Sequence, residues 1–402
     1  MDKFDITYFY GPDGENIVKE ECVRNMAEAG ITLATLNFGY EVNKKVIPLL
    51  EKYGIRAYVE DAELKNAYWE NAEDKVSDIV KRIVSEYKDC PTVIGYDLTD
   101  EPGKENFSIL SKMVDAFRRY DSERECVINL FPNYASNKQL GTEGYEEYLE
   151  EFIKTVKPPF ISYDHYHFRG RDARDEIKSD SGISERERLI RIAAEKEDDR
   201  GGFFENIGMV REKAKKYNIP AMLIVLLTCH GPYRDLTREE ISWEVNMSLA
   251  YGMKRISYFT YWLVPYDDFW RWDNAFCDLE GNKMGHYYDA QVINKIIKPI
   301  GEILFDKESL AVFHIGTGEK GAEEFNSFCS IEKIEGNAAV AGFFEDGYIY
   351  LVNYDYKNEN NLTIYSEEEV SLYRDGEFIP SGKTLTLNIN PGEAVLIKTT
   401  KK

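Results

Sequence analysis

Residues 93–120 read VIGYDLTDEPGKENFSILSKMVDAFRRY, a short apolar β-rich run followed by a longer segment of helical period. We predict a strand over Val93–Leu98 and a helix over Phe107–Tyr120. The strand leads into the adjacent carboxylates Asp100 and Glu101 and then a Pro-Gly turn. A strand followed by a helix of this length is typical of parallel strands that are joined by helical crossovers.

The same strand-then-helix unit recurs along most of the chain. Seven further strands are predicted over Ile6–Tyr10, Thr32–Phe38, Arg56–Glu60, Cys126–Phe131, Phe160–Asp164, Ala221–Leu227 and Ile256–Trp262. Seven further helices are predicted over Glu15–Ala29, Asn43–Tyr53, Glu73–Tyr87, Tyr145–Val156, Phe204–Tyr217, Thr237–Tyr251 and Tyr287–Phe305. Gly30, Gly54 and Gly252 follow three of these helices, where a left-handed residue ends a helix well, and Thr237 with Glu240 forms a capping box.

Eight such units within about 300 residues favour an α/β fold, a (β/α)8 TIM barrel, over an open doubly wound sheet. We predict the barrel over residues 1–305. Beyond it the sequence changes to short alternating runs broken by Gly, Asp and Asn, which indicates a small antiparallel β-sandwich domain over residues 306–402. Active residues of such a barrel are expected just after the C-terminal ends of its strands.

The composition excludes several classes of protein. Of 402 residues, 43% are hydrophobic and 30% are charged, the balance of a soluble globular protein rather than a disordered one. The net charge of −22 opposes binding to nucleic acid and to anionic membrane surfaces.

The first residues and the cysteines predict a cytoplasmic protein. The sequence offers no apolar stretch of membrane-spanning length, and its start lacks the layout of a signal peptide, although a signal peptide removed beforehand would leave no trace. The six cysteines are scattered singly in apolar segments, so we expect reduced core residues. The oligomeric state, including a homo-oligomer, is left open.

The Asp100-Glu101 pair carries the sharpest chemical prediction. Two neighbouring carboxylates beside an apolar wall raise the pKa of one of them, and a protonated carboxyl can deliver a proton to a glycosidic oxygen. Glu101 is therefore the predicted general acid. A helix cap with a first-turn glutamate would explain the same pair in isolation, but its place after the fourth strand of a barrel favours catalysis.

A glutamate directly after the fourth strand resembles the clan A glycoside hydrolases, the superfamily of β-galactosidases, cellulases and related retaining enzymes. Other stretches are similar to bacterial barrel enzymes related to the family 42 β-galactosidases. These stretches are Val127–Pro132, Ser162–Tyr166, Leu249–Gly252, Tyr258–Trp262 and Asp278–Gly281. The resemblance covers most of residues 1–305, and a trailing β domain is also usual in those enzymes.

The seventh strand departs from that family pattern. The resemblance implies a nucleophilic glutamate at its end, yet residues 223–230 read LIVLLTCH and hold no carboxylate. Asp164, which ends the sixth strand, is the first alternative as second carboxylate, and a wide separation from Glu101 would favour an inverting reaction. Glu60 or Asp61 after the third strand is another. In a third arrangement the substrate's own acetamido group attacks, oriented by Asp100, as in the hexosaminidases that such Asp-Glu pairs resemble.

The histidines His165 and His167 have a spacing that is also found in metal sites, and His230 follows the seventh strand. Metal-dependent barrels usually draw ligands from several strands, and the first strand here offers none. We therefore predict no metal and no cofactor, and we assign the three histidines to hydrogen bonds with sugar hydroxyls.

Aromatic and amide side chains at strand ends complete the predicted substrate site. Flat C–H faces of sugar rings pack on aromatic planes, and amides bind hydroxyls. The candidates are Tyr10, Phe38, Tyr166, Tyr261, Trp262, Trp270 and Trp272, with Asn37 and Asn129 as amides. Trp262 is favoured, because clan A enzymes resemble one another in placing a platform tryptophan after the eighth strand.

A long polar segment, Arg169–Gly202, and the loop 270–272 would crowd the barrel mouth, as a lid or as a solvated insertion. The sequence thus predicts a glycoside hydrolase that cleaves a terminal sugar or short oligosaccharide. A carbohydrate-binding protein that has lost catalysis and a metal-dependent hydrolase are the two other classes that we retain.

Overall fold

The computed structural model describes residues 1–170, 199–265 and 272–400. Within these ranges eight parallel strands form one sheet: β1 Asp5–Phe9, β2 Leu33–Leu36, β3 Arg56–Glu60, β4 Val93–Asp100, β5 Glu125–Leu130, β6 Ile161–Asp164, β7 Ala221–Leu226 and β8 Arg255–Phe259. They are paired in the order β1-β8-β7-β6-β5-β4-β3-β2. The backbone N–H of Thr32 donates to the carbonyl of Ile6 at 2.9 Å and joins the two ends of the sheet. The predicted (β/α)8 barrel is confirmed.

Helices lie between the strands: α1 Glu20–Glu28, α2 Tyr40–Lys52, α3 Ala62–Trp69, α4 Val76–Tyr87, α5 Phe107–Tyr120, α6 Asn137–Leu140, α7 Tyr145–Val156, α8 Phe203–Tyr217, α9 Arg238–Ala250 and α10 Gly285–Phe305. The capping box at the start of α9 is present, since the Thr237 hydroxyl accepts from the Glu240 N–H and the Glu240 carboxylate accepts from the Thr237 N–H. No helix in the described ranges is long and apolar enough to cross a membrane. The cytoplasmic location stays a prediction.

Two boundaries differ from the prediction in ways that affect the site. The eighth strand ends at Phe259 rather than Trp262, and the predicted helix Glu73–Tyr87 begins at Val76 as α4. It is preceded by α3, a helix that was not predicted and that begins directly after Glu60 and Asp61. A short antiparallel pair, Cys229–His230 with Trp272–Asp273, also lies above the barrel on the side of β7 and β8.

A buried network of charges holds the opposite end of the barrel together. Arg255 of β8 is fully buried and donates to Glu125 of β5 at 2.7 Å and to Asp5 of β1 at 3.2 Å. Tyr58 of β3 joins the same network through hydrogen bonds to Arg255 and Glu125. Because Arg255 is paired both with β1, the neighbour of β8, and with β5, which is not a neighbour of β8, this network ties distant strands together at the base of the barrel.

Antiparallel strands form the C-terminal β domain: β9 Ser309–Ile315, β10 Ile331–Glu335, β11 Ala339–Phe344, β12 Tyr348–Asn353, β13 Asn360–Arg374, β14 Glu377–Ile389 and β15 Ala394–Thr399. They form one hydrogen-bonded sheet, in the order β9-β11-β12-β15-β13-β10 with β14 beside β13. The predicted antiparallel domain is confirmed, and the division of the chain at residue 305 stays a prediction.

Helix α9 lies between the barrel and this domain, and all of its residues from Glu240 to Ala250 are buried. The Trp243 indole donates to the carbonyl of Tyr354 at 2.8 Å, and Asn246 accepts from the Tyr350 hydroxyl at 2.6 Å. Because α9 is covered on both sides, it lacks the one-sided apolar pattern of a surface helix.

Candidate active site

The carboxyl ends of β4, β5 and β6 bring three predicted side chains together. The Nδ2 atom of Asn129, at the end of β5, donates to Oδ1 of Asp100 and to Oδ1 of Asp164, each at 3.0 Å. The two carboxylate oxygens are therefore at most twice that distance apart. The Ser162 hydroxyl donates to Oδ1 of Asn129 at 2.9 Å and fixes the orientation of the amide. Asn129 thus acts as a bridge between two of the predicted catalytic residues.

Glu101 leaves the barrel directly after Asp100. Its N–H donates to the carbonyl of Asn129 at 2.8 Å, so the pairing of β4 with β5 continues through this residue. Its φ of 47° lies in the left-handed region, which non-glycine residues adopt rarely and often at functional sites. The side chain is half-buried at the barrel mouth, whereas that of Asp164 is deeply buried.

The surroundings raise the pKa of all three carboxyl groups. Burial, with the adjacent charge of Asp100, raises the pKa of Glu101 to about 7. Burial, followed by the charges of Glu101 and Asp100, raises the pKa of Asp164 well above its ordinary value, while the Asn129 amide opposes this rise. Burial also raises the pKa of Asp100. Near neutral pH these raised pKa values favour a proton on the Glu101–Asp164 pair, and a catalytic acid and base require that one of the two carboxyl groups be protonated and the other ionised.

Asp97 is a further carboxylate of the barrel interior that the sequence analysis did not select. Tyr96 stacks on Phe117 of α5 outside the barrel, so Asp97 points inward, where it is paired in register with Glu60 of β3. Burial and then the charges of Glu60 and Asp100 raise the pKa of Asp97 to about 8. A carboxylate in the middle of the apolar run VIGYDL is the sequence signal that could have identified it.

Glu60 lies at the end of β3, as predicted, and its carboxylate accepts from Lys65 at 2.9 Å. Asp61, the other candidate there, caps α3 by accepting from the N–H groups of Glu63 and Leu64. Asn37 follows β2 and is exposed at the same face of the barrel.

An aromatic wall, formed by Tyr166, His230, Tyr233, Phe259 and Trp272, lies beside the carboxylates. The His230 ring stacks on Trp272 with 4.6 Å between centroids, and Tyr166 packs edge-on against Tyr233 at 5.3 Å. Phe259 contacts Tyr166 and His230 at 5.3 and 5.1 Å. Burial and then the charge of Asp164 raise the pKa of Tyr166, so its hydroxyl remains protonated. The structure thus brings together Tyr166, His230 and Trp272, three of the residues predicted at the rim, and their contact with a sugar stays a prediction.

His165 and His167 point away from this cluster. Nδ1 of His165 lies 3.1 Å from Oδ1 of Asn206 on α8, and Nδ1 of His167 donates to the carbonyl of Arg200 at 2.7 Å. The His167 ring also stacks on Trp243 of α9. Burial lowers the pKa of His165 to about 3 and that of His167 to about 4, so both are neutral. Among the described residues no group of three or more metal-binding side chains lies together.

Tyr261 and Trp262 are also outside the carboxylate cluster. Because β8 ends at Phe259, both residues belong to the following segment and are buried, Tyr261 completely and Trp262 to 97%. Tyr261 packs against Tyr8 and Phe276, at 5.0 Å in each case. Trp270 and most of the predicted lid, residues 171–198, lie outside the described residues.

Arg200 is a cation at the barrel mouth that the sequence analysis did not select. Its guanidinium lies over the ring of Tyr134 at 3.8 Å, and it donates through Nε to the carbonyl of Tyr166 and through Nη2 to the hydroxyl of Tyr233. It stands in a charge-dense segment, where no sequence pattern distinguishes one arginine from its neighbours.

No protein-family model and no curated protein matches the chain. Among solved structures, a catalytic mutant of a GH42 β-galactosidase from G. stearothermophilus has a TM-score of 0.66 at 9% identity, covering 99% of this chain and 98% of that one. A glycoside hydrolase family 5 protein from Bacteroides vulgatus has a TM-score of 0.59 at 12% identity, covering 99% and 89%. A β-galactosidase from the psychrophilic Marinomonas ef1 has a TM-score of 0.51 at 9% identity, covering 76% of this chain, which spans 62% of that one.

At 9 to 12% identity these likenesses show a shared fold and nothing finer. The chain therefore has the barrel-plus-β-domain fold that GH42 and GH5 glycoside hydrolases also have. The expectation of a clan A-like barrel, drawn from the glutamate after the fourth strand, is confirmed at the level of fold.

Proposed function

We propose that this protein is a glycoside hydrolase that removes a terminal sugar or cleaves a short oligosaccharide. The observation that carries the proposal is the amide of Asn129, which holds Asp100 and Asp164 beside Glu101 at the mouth of the barrel. The aromatic wall offers flat surfaces next to these carboxyl groups, as a sugar ring requires. The reaction requires no cofactor.

Glu101 is the proposed general acid. A carboxyl group with a pKa of about 7 is still half protonated at neutral pH and can donate its proton to the glycosidic oxygen as the bond to the anomeric carbon breaks. Its position, half-buried at the mouth, leaves space for the leaving group on the solvent side.

Asp164 is the proposed second carboxylate. As an inverting base it would accept a proton from the water that attacks the anomeric carbon, so that the sugar leaves with a new hydroxyl group and the opposite configuration. This role needs the ionised form of Asp164; burial raises the pKa of that carboxyl and opposes ionisation, and the hydrogen bond from Asn129 acts in the other direction. Tyr166 and the other aromatic wall residues are the proposed contacts for the sugar, with Asn37 and Glu60 as further polar contacts.

Substrate-assisted cleavage of a 2-acetamido sugar is a second candidate. Asp100 directly precedes Glu101 and is oriented by the same Asn129 amide, so it is placed to hold an acetamido group while Glu101 protonates the leaving oxygen. In that case Asp164 would support Asp100 through Asn129 rather than activate water.

The test is release of nitrophenol from a panel of aryl hexosides and aryl 2-acetamido hexosides by the wild type and by Glu101→Gln, Asp164→Asn and Asp100→Asn. Loss of a general acid lowers kcat about 10²- to 10⁴-fold. Glu105→Gln, the same chemical change at an exposed position four residues away, is the matched control and should retain full activity.

Hydrolysis of plain hexosides that depends on Glu101 and Asp164 would support the proposal. Activity confined to 2-acetamido sugars, with Asp100→Asn as damaging as Glu101→Gln, would favour the second candidate. Absence of hydrolysis on every substrate, together with unimpaired sugar binding, would contradict both and favour a carbohydrate-binding protein without catalysis.

A further inference from the structure

Arg200 has hydrogen-bonding capacity that the described part of the protein does not use. A guanidinium carries five N–H groups. One, on Nε, donates to the carbonyl of Tyr166 at 3.2 Å and one, on Nη2, donates to the hydroxyl of Tyr233 at 3.1 Å. The other three have no acceptor among the described residues, and no carboxylate there lies within 4.0 Å of the guanidinium.

The neighbouring charges are paired with one another instead. Asp199, the adjacent residue in the chain, accepts from Arg234 at 2.6 Å and lies 3.8 Å from His167. Arg234 also pairs with Glu240 at 2.6 Å. Among the described residues Arg200 is thus a cation without a counter-ion, in a chain whose net charge is −22.

The position of Arg200 is fixed and faces the candidate active site. Its guanidinium carbon lies over the Tyr134 ring, 3.8 Å from the centroid, a cation–π contact that favours this position. Its partner, the carbonyl of Tyr166, belongs to the second residue after Asp164, and two residues of chain span at most about 7 Å. The hydroxyls of Tyr134 and Tyr233 lie in the field of both Arg200 and Asp164.

We propose that Arg200 binds an anionic substituent of the sugar, so that the substrate of this site is an acidic sugar unit, in the first place a hexuronate. The inference rests on the proposed function for the placement of the sugar ring at Glu101 and Asp164. A guanidinium with free N–H groups on one edge matches the two oxygens of a carboxylate. Sulfate and phosphate esters present the same anionic oxygens, and the experiment distinguishes these three sources.

Binding is measured by calorimetry with the Glu101→Gln protein, which separates recognition from turnover. The ligands are glucuronic and galacturonic acid, the neutral sugars glucose and galactose, and glucose 6-sulfate and glucose 6-phosphate. Arg200→Gln and Arg200→Lys are added to the same background. Arg24→Gln, which removes the same charge from the exposed face of α1, is the matched control.

We expect Arg200→Gln to weaken binding of the acidic sugar about 10- to 100-fold, the effect of losing charge-assisted hydrogen bonds. Arg200→Lys should retain part of the affinity, because the charge remains while the planar edge is lost. Neutral sugars should bind the variants and the parent about equally, and added salt should weaken only the acidic ligand. The strongest of the carboxylate, sulfate and phosphate ligands identifies the source of the anion.

An equal loss of acidic and neutral sugar binding in Arg200→Gln would overturn the proposal, since Arg200 would then only position Tyr166 and Tyr233. Acidic sugars that bind no better than neutral ones in the parent would overturn it as well. If the wild-type protein hydrolyses no glycoside at all, while acidic sugars still bind through Arg200, the proposed function fails and this inference stands. If the wild type hydrolyses neutral glycosides and binds no acidic sugar, this inference fails and the proposed function stands.

Discussion

Substitution of Asn129 by alanine should move the pH dependence of catalysis in a defined direction. The substitution removes the amide that donates to Asp100 and Asp164 at 3.0 Å each. These hydrogen bonds favour the ionised carboxylates, so their loss raises the pKa of both. A hydrogen bond to a charged group contributes about 1.5–3 kcal/mol, and one pKa unit corresponds to about 1.4 kcal/mol. The acidic limb of the profile should therefore move about 1–2 units to higher pH.

The assay is the pH dependence of kcat/KM on the best aryl glycoside, from the acidic limb to alkaline pH. Ser162→Ala is the matched control, because Ser162 donates to the opposite end of the amide and leaves both carboxylate contacts in place. We expect a much smaller shift for this variant. An acidic limb that does not move in Asn129→Ala, or that moves to lower pH, would refute the role of the amide as a bridge between working carboxylates.

Three further predictions concern stability and binding. Asp164→Asn should raise Tm more at pH 8 than at pH 4, because the raised pKa of buried Asp164 costs stability once the unfolded chain ionises; an equal gain at both pH values would contradict this. Glu125→Gln should destabilise the fold by about 3–5 kcal/mol in urea unfolding, since it leaves Arg255 short of a partner in the barrel base, and a neutral effect would be contrary evidence. Trp272→Ala should raise KM several-fold with little change in kcat, since it removes the ring that stacks on His230; an unchanged KM in steady-state kinetics would exclude a contact with substrate.

The pattern of strands and helices was enough to predict which strand ends meet. Asp100, Asn129 and Asp164 each lie within two residues of the end of a predicted strand, and parallel strands of a barrel end at one face, so their proximity follows from the topology. The geometry of the Asn129 bridge does not follow from the topology. One amide serves two carboxylates because of the register in which Asp100 pairs with Asn129, and that register depends on tertiary packing.

Regular alternation explains why Asp97 was missed. The pairing of β4 with β5 shifts between Asp97 and Thr99, so one extra residue is inserted in β4. Such a bulge reverses the inward and outward positions beyond it, and Asp97 and Asp100 then both face the interior. From the sequence, strict alternation puts them on opposite faces.

The aromatic residues after β8 show a second limit. The apolar run Ile256–Trp262 has no sequence signal at Phe259, where the strand ends, so Tyr261 and Trp262 were assigned to the rim. Among the described residues of that region, Phe259 and Trp272 contact Tyr166 and His230. Arg200 was missed for a different reason, because its partners Tyr134, Tyr166 and Tyr233 are distant from it in the sequence.

The central claim is that Glu101 donates a proton to the departing oxygen, while Asp164 accepts a proton from the water that attacks the anomeric carbon. Varying the leaving group tests this claim most directly. The measurement compares kcat/KM for glycosides with a dinitrophenyl group, which leaves without a proton, and with an alkyl group, which requires one. Glu101→Gln should lose little activity on the first substrate and about 10²- to 10⁴-fold on the second, whereas Asp164→Asn should lose activity on both. An equal loss in Glu101→Gln on the two substrates, or full activity in Asp164→Asn, would contradict the assignment.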